Sequence, residues 1–208
     1  MGYRAVCISR TEGAGGAEVG SLVSEQLGFA CIDEEIVARA AAKGGTSPAD
    51  VADEERRKST LARLLQEIGR GSASESYGLA GSGVPAIEGT TPDAIRGLIQ
   101  ETIEEAAGRG EVVIVSHAAS LALQGRPEVL RVLVTASPGA RIERVSERLG
   151  CDSKEAKKKV EASDAARADY LRRFYQVDAE LPTYYDLVVN TDVLGVERAA
   201  ELVVRAAR

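Results

Sequence analysis

Tryptophan is absent from the 208 residues, phenylalanine occurs twice, and aromatics make up 4% of the chain. So few aromatic faces argue against a protein that stacks unpaired bases. Nor is there a global positive field: the formal net charge is −6, and nucleic acid or anionic lipid is drawn to a positive surplus. Histidine occurs once and cysteine three times, too few ligands for a zinc cluster. Cys7, Cys31 and Cys151 form an odd set without close spacing, so no disulfide framework is expected. Cys7 and Cys31 lie within apolar runs and read as small buried residues. No signal-peptide pattern opens the sequence, and no apolar run approaches the roughly 20 residues of a membrane span. A soluble, cytoplasmic protein is expected, with neither nucleic acid nor membrane as a partner.

What is present is 44% hydrophobic, enough for one sizeable core at this length. Apolar runs of strand length occur at 4–9, 29–32, 112–115, 130–135 and 186–190. Between them lie segments of helical periodicity: 16–27, 34–43, 47–68, 92–107, 138–149, one from 153, one over 164–175, and 196–207. Gly28 reads as a helix C-cap, Gly44-Gly45 as a stop, and Ser47-Pro48, Thr91-Pro92 and Pro138 as helix starts. Strands alternating with helices predict five parallel strands with helices on both faces. The wholly apolar 112–115 run reads as the central strand. Residues 69–92, rich in Gly, Ser and Thr, are expected to be the least ordered.

The stretch that organises the rest follows the first strand: Arg10-Thr-Glu-Gly-Ala-Gly-Gly-Ala-Glu18, leading into a helix. A glycine turn at a helix N-terminus gathers free N–H groups and attracts phosphates. Three patterns compete for it. In the dinucleotide fingerprint G-x-G-x-x-G, Gly13 and Gly15 fit, Glu18 stands at the third glycine, and Asp33 ends strand two where the ribose-binding acid belongs. In the phosphate loop G-x-x-x-x-G-K-[ST], aligning the second glycine on Gly15 puts Arg10, Gly16 and Ala17 at the other defining positions. The third reading is a structural turn without a ligand. Pattern alone leaves the three open.

Downstream, Asp33 is placed at the carboxyl edge of the sheet, where open α/β sheets bind ligands, though it would equally cap a helix starting at Glu34. His117 follows the 112–115 strand in Ser116-His-Ala-Ala-Ser120 and is a candidate for ligand contact, with local hydrogen bonding as the plainer role. Arg141 and Arg144 lie one turn apart, and Asp164, Arg167, Asp169, Arg172 and Arg173 follow on a later helix. From 141 to 173 there are ten Lys/Arg against seven Asp/Glu, a surplus of three that leaves −9 on the remainder. The surplus reads either as i,i+4 ion pairing on solvated helices or as a cationic lid over phosphates.

The order of these motifs resembles the cytidylate kinase-like family. Ile8-Ser-Arg-Thr-Glu-Gly-Ala-Gly-Gly-Ala-Glu-Val-Gly20 is similar to that family's lysine-poor opening loop. Cys31-Ile-Asp33, Val112 to Ser116, Leu123 to Val132, Ala162 to Tyr175 and Tyr185 to Thr191 continue the likeness. The segment from about Gly44 to Thr91 carries little of it.

The resemblance implies a P-loop NTPase fold of the nucleoside-monophosphate-kinase type, three-layered, with a five-stranded parallel sheet, a helical insertion and an arginine lid. One domain is expected over 1–208, with a core at 1–43, 92–140 and 183–208, the insertion at about 44–91 and the lid at about 141–182. The implied reaction is phosphoryl transfer from ATP, with Mg²⁺, to a nucleoside monophosphate or similar small acceptor. Gly13, Ala14, Gly15, Gly16, Ala17 and Glu18 would wrap the donor phosphates, with Thr191 and Asp192 near the donor base. Arg10, Arg144 and Arg167 would act on the transferred group, with Arg141, Arg172 and Arg173 as weaker lid candidates, and Asp33 and His117 would face the acceptor. Two departures stand out. Gly16 occupies the lysine position, and Ser116-His117-Ala118 replaces a common Gly-Arg-Gly. Cationic charge must then come from Arg10 or the lid. Three functions stay open: a kinase, a nucleotide-binding module that is weak or inactive, and a NAD(P)-dependent oxidoreductase. A homodimer is equally open.

Overall fold

Val6, Cys7 and Ile8 are among the least exposed side chains of the molecule. They belong to β1 (Ala5–Arg10), the middle strand of one parallel sheet. The computed structural model describes residues 2–33, 43, 92–115 and 118–208. Its other strands are β2 (Ala30–Ile32), β3 (Val112–Val115), β4 (Val129–Thr135) and β5 (Leu187–Asn190), in the order β2-β3-β1-β4-β5. Ala5 stands opposite both Val112 and Val129, with every pairing parallel. The middle place therefore belongs to β1, and Val112–Val115 lies beside it. The expected 34–43 and 47–68 helices, apart from helical Lys43, and the 69–91 segment lie outside the described residues.

The pleat of β1 divides the core into two. Ala5 and Cys7 turn to one face with Val112, Ile114 and Val129, under α2 (Pro92–Arg109) and α3 (Ala119–Ala122). Val6 and Ile8 turn to the other with Val113, Val132 and Val134, under α1 (Gly16–Leu27) and the closing helix. Burial pushes the Cys7 thiol up to about 12, which keeps it inert. Cys31 is exposed, contrary to the expected burial, because β2 is a three-residue edge strand.

Gly20 makes the approach of α1 to the sheet feasible: a Cβ there would come within 2.5 Å of Val115 Cγ2. Helix α4 (Pro138–Leu149) starts from Ser137, whose hydroxyl accepts from Ala140 N–H, and α5 (Ser153–Tyr175) starts from Asp152, which accepts from Glu155 N–H at 2.8 Å. The two expected helices of 153–175 are one, since no Gly or Pro interrupts the run. Ile142, Val145, Ala156 and Val160 pack α4 against α5. Lys157–Glu161 and Lys159–Glu155 form i,i+4 pairs on α5, the solvated-face reading of that charge.

The last helix, α6 (Thr191–Ala207), begins earlier than expected and kinks at Gly195 (φ 71°, ψ 175°), a conformation essentially reserved for glycine. The expected start at Val196 is the start of its longer segment. No helix among the described residues is long and apolar enough to cross a membrane.

Candidate functional site

With all strands parallel, Arg10, Asp33, Val115, Thr135 and Asn190 reach the same edge of the sheet. The connection leaving β1 runs toward β2, and the chain later returns to pass from β4 to β5 on the other side. The crevice at the carboxyl ends of β1 and β4 is therefore a switch point, where such sheets take ligands. The glycine-rich turn occupies it. The strand order also excludes the dinucleotide fold, in which β1 is flanked by β2 and β4; here its neighbours are β3 and β4.

The turn is shaped by two left-handed glycines, Gly13 (φ 77°) and Gly15 (φ 78°). A Cβ on Gly13 would meet the Arg141 carbonyl oxygen at 2.6 Å, so no other residue fits that approach. Gly15 is the N-cap of α1 and brings no capping side chain. Among the described residues no acceptor takes the backbone N–H of Gly15, Gly16, Ala17 or Glu18. These four donors and the positive end of α1 face one point, which is what a phosphate requires. Ala14 departs from the expected role. Its side chain is buried in the core and its N–H donates to the Thr11 carbonyl at 3.0 Å, closing the turn instead of facing a ligand. Glu18 is exposed in the first turn of α1.

Arginines brace the turn from behind. Arg141 is buried; its Nε donates to the Glu12 carbonyl at 2.6 Å and its two terminal nitrogens grip Asp164 at 3.0 and 2.6 Å. Arg144 donates to the Gly13 carbonyl, to Thr191 Oγ1 at 2.8 Å and to the Thr191 carbonyl at 3.0 Å. Arg148 pairs with the Glu12 carboxylate. In this structure Arg141 and Arg144 hold the loop's carbonyls, whereas the expectation had them reach over a ligand. The reason is geometric: α4 runs directly behind the turn, so its inward arginines meet backbone oxygens first.

Thr191 is fully buried, and its hydroxyl donates to the Ala14 carbonyl at 2.8 Å while accepting from Arg144. It ties β5 and α6 to the loop and presents no group to a base. Asp192 accepts from Ser137 N–H at 2.9 Å, and hydrogen bonding from the Ser137 side chain and then from that N–H holds its carboxyl below the usual range. Both residues thus position α4 and α6.

Arg167 lies farther along α5. It makes a two-pronged bond to Glu180, Nε to Oε2 at 2.8 Å and Nη2 to Oε1 at 2.5 Å, and Tyr185 donates its hydroxyl to the same carboxylate. Burial pushes the Glu180 carboxyl up, but the bonds and charge of Arg167 outweigh it and the net direction is down. Burial likewise opposes the charge on Arg167, and Glu180 overcomes it. Burial and Glu180 push the Tyr185 phenol up to about 12, while a hydrogen bond to Ser9 works the other way. Ser9 in turn bonds Ser120 at 3.2 Å. A line of polar contacts thus connects the end of β1 to Arg167. Glu180 was not singled out from the sequence, since it sits 13 positions from its partner and outside any helix. Arg172 pairs with Asp178, and Arg173 with Asp169 at 2.8 Å.

Arg10 reaches across the carboxyl edge to Asp33, Nη2 to Oδ2 at 3.4 Å, each side chain about a third exposed or less at 28% and 30%. His117 and the expected insertion at 44–91 lie outside the described residues.

The chain is 31% identical to cytidylate kinase of Aeropyrum pernix over 104 residues, which is 50% of this chain and 60% of that protein. It is 26% identical to cytidylate kinase of Staphylothermus marinus over 140 residues, 67% of this chain and 75% of the relative. In structure it is similar to an uncharacterized protein from Eubacterium ventriosum, with TM-score 0.65, 17% identity and coverage of 97% and 96% of the two chains. It is also similar to shikimate kinase from Bacteroides thetaiotaomicron, with TM-score 0.50, 14% identity and coverage of 96% and 95%. At such identity these structures speak for the fold alone, an α/β P-loop fold. The model of the cytidylate kinase-like family matches residues 5–193, from the first strand through the braced turn to Thr191 and beyond; with nine-tenths of its length inside that match, the chain belongs to the cytidylate kinase-like family.

Proposed function

We propose that this protein is an ATP-dependent phosphotransferase that passes the γ-phosphoryl of ATP to a nucleoside monophosphate or a similar small acceptor. One observation carries the reading: in a chain of this family, four acceptor-free N–H groups at the start of α1 lie at the sheet's switch point. Those groups would bind the donor phosphates and hold them in line with the acceptor. The acceptor oxygen would bond to the γ-phosphorus as the bond to the bridging oxygen breaks, and the departing diphosphate keeps that electron pair. Positioning and charge neutralisation supply the acceleration, with no covalent enzyme intermediate.

Mg²⁺ fits this donor set as an ion held by phosphate. Among the described residues no three His, Cys, Asp or Glu side chains gather to cage it, and Ala17 offers no hydroxyl. Such an ion commonly keeps several waters and is bound largely through substrate phosphates, with one or two carboxylates. Among the described residues, Asp33 is a carboxylate at that edge that would help hold it. When bound, the ion offsets charge on the donor oxygens.

Incubation with ATP, Mg²⁺ and each common nucleoside monophosphate, followed by chromatography of the nucleotides, tests the proposal. A diphosphate formed from at least one acceptor is expected; none from any would end the nucleoside-monophosphate-kinase reading. A second reading, a nucleotide-binding module without turnover, is favoured by Gly16 at the lysine position and Ala17 beside it. It predicts nucleotide binding in the absence of any diphosphate product.

A further inference from the structure

Resting on the phosphate-loop reading above, we propose that Arg10 is the loop's phosphate-binding cation and that Gly16 is glycine in order to admit it. In the phosphate-loop pattern, the side chain that meets the β- and γ-phosphates springs from the position of residue 16. Here a Cβ built on Gly16 would stand 2.4 Å from Arg10 Cβ, 3.2 Å from Cγ and 3.0 Å from Cδ. All three methylenes of Arg10 therefore run across the place where a residue-16 side chain would begin. The closest of them is fixed to the β1 backbone and cannot swing away. A lysine at 16 and an arginine at 10 exclude each other. The chain has kept the cation in the same place and moved its root from the start of α1 to the end of β1.

The state of the guanidinium agrees with this. Arg10 Nε is buried and has no hydrogen-bond partner among the described residues. Nη2 has one contact, to Asp33 at 3.4 Å, near the outer limit of a hydrogen bond. The other arginines around the turn are engaged more firmly: Arg141 with Glu12 and Asp164, Arg144 with Gly13 and Thr191, Arg167 with Glu180. Arg141, Arg144 and Arg167 must each surrender two or more close bonds to reach a ligand, and Arg148 its close pairing with Glu12, whereas Arg10 must loosen one long one. Asp33 acts as a positioning residue that holds the fork at the crevice. The planar fork suits two phosphate oxygens at once, so the ligand class is a nucleoside di- or triphosphate.

Calorimetric titration of ADP into the wild type and four variants tests this, with thermal melting of each as the folding control. Arg10→Met should weaken ADP on the order of tenfold or more, and Arg10→Lys should recover most of the loss. Gly16→Lys alone should bind poorly and melt lower, because it meets Arg10. Combining Gly16→Lys with Arg10→Gly should bind better than either Gly16→Lys or Arg10→Met. The inference is overturned if the wild type binds ADP and Arg10→Met binds it equally well. It is also overturned if the double variant binds ADP no better than Gly16→Lys alone. Failure of the wild type to bind ADP or ATP would overturn the phosphate-loop reading itself.

Discussion

Replacing Arg141 by methionine should loosen the glycine-rich turn and lower the stability of the whole chain. The arginine side chain is 7% exposed and makes three hydrogen bonds: one to the Glu12 carbonyl at 2.6 Å and two to Asp164. Methionine retains much of the stem packing and loses all three bonds. Removing one partner of a wholly buried ion pair costs about 3–5 kcal/mol. Asp164 is 43% exposed, so water takes over its carboxylate and the expected loss falls to about 2–3 kcal/mol. For a domain of this size that is a fall in Tm of roughly 5–10 °C. Urea denaturation measures the first figure and calorimetry the second. Asp164→Asn should cost a similar amount, about 2–3 kcal/mol, because it leaves the buried Arg141 charge without its counter-ion. The double variant should match Arg141→Met within about 0.5 kcal/mol, since the bond can be lost only once. Hydrogen exchange should quicken selectively at 11–15 in both. Unfolding of Arg141→Met within about 0.5 kcal/mol of wild type would refute the assignment of Arg141 as the brace of the turn.

Gly20→Ala drives a methyl toward Val115, whose Cγ2 is 2.5 Å from the new Cβ; a loss of about 1–3 kcal/mol is expected. Adding Val115→Ala should return part of it, and a neutral Gly20→Ala would contradict the close helix–sheet contact. Thr191→Val removes the buried hydroxyl that donates to the Ala14 carbonyl and accepts from Arg144, for an expected loss of about 1–3 kcal/mol by denaturation. Glu180 has a folded pKa below its ordinary 4.5. Its contribution is therefore complete above that value and fades as pH falls through the lower, folded one. The stability gap between wild type and Glu180→Gln should shrink between pH 7 and about pH 3; a gap independent of pH would contradict the Arg167–Glu180 pairing.

The strands were legible because each is a short, mostly apolar run, and Val112–Val115, apolar and buried throughout, most of all. Gly28, Pro138 and Asp152 marked helix ends through backbone conformation and capping, which are local properties. Sheet order was less legible: apolar parallel strands look alike, so nothing in 112–115 says that it stands beside the middle. The turn was recognisable from Gly13 and Gly15, whose positive φ is a local demand. Its bracing was not. Spacing places Arg141 and Arg144 on one helix face, yet only the packing of α4 behind the loop shows that they meet carbonyls. The pairing of Arg167 with Glu180 depends on how the chain returns after α5. Likewise the exclusion between Arg10 and Gly16 appears only when the turn folds back on its own strand.

The account rests on phosphate being held by the start of α1. Amide nitrogen–proton correlation spectra, recorded while a non-hydrolysable ATP analogue and Mg²⁺ are added, test this most directly. The account predicts saturable shifts at Gly13 and Gly15 to Val19, together with the Arg10 side-chain Nε–H. Saturable binding that leaves those signals in place and moves others instead would contradict it.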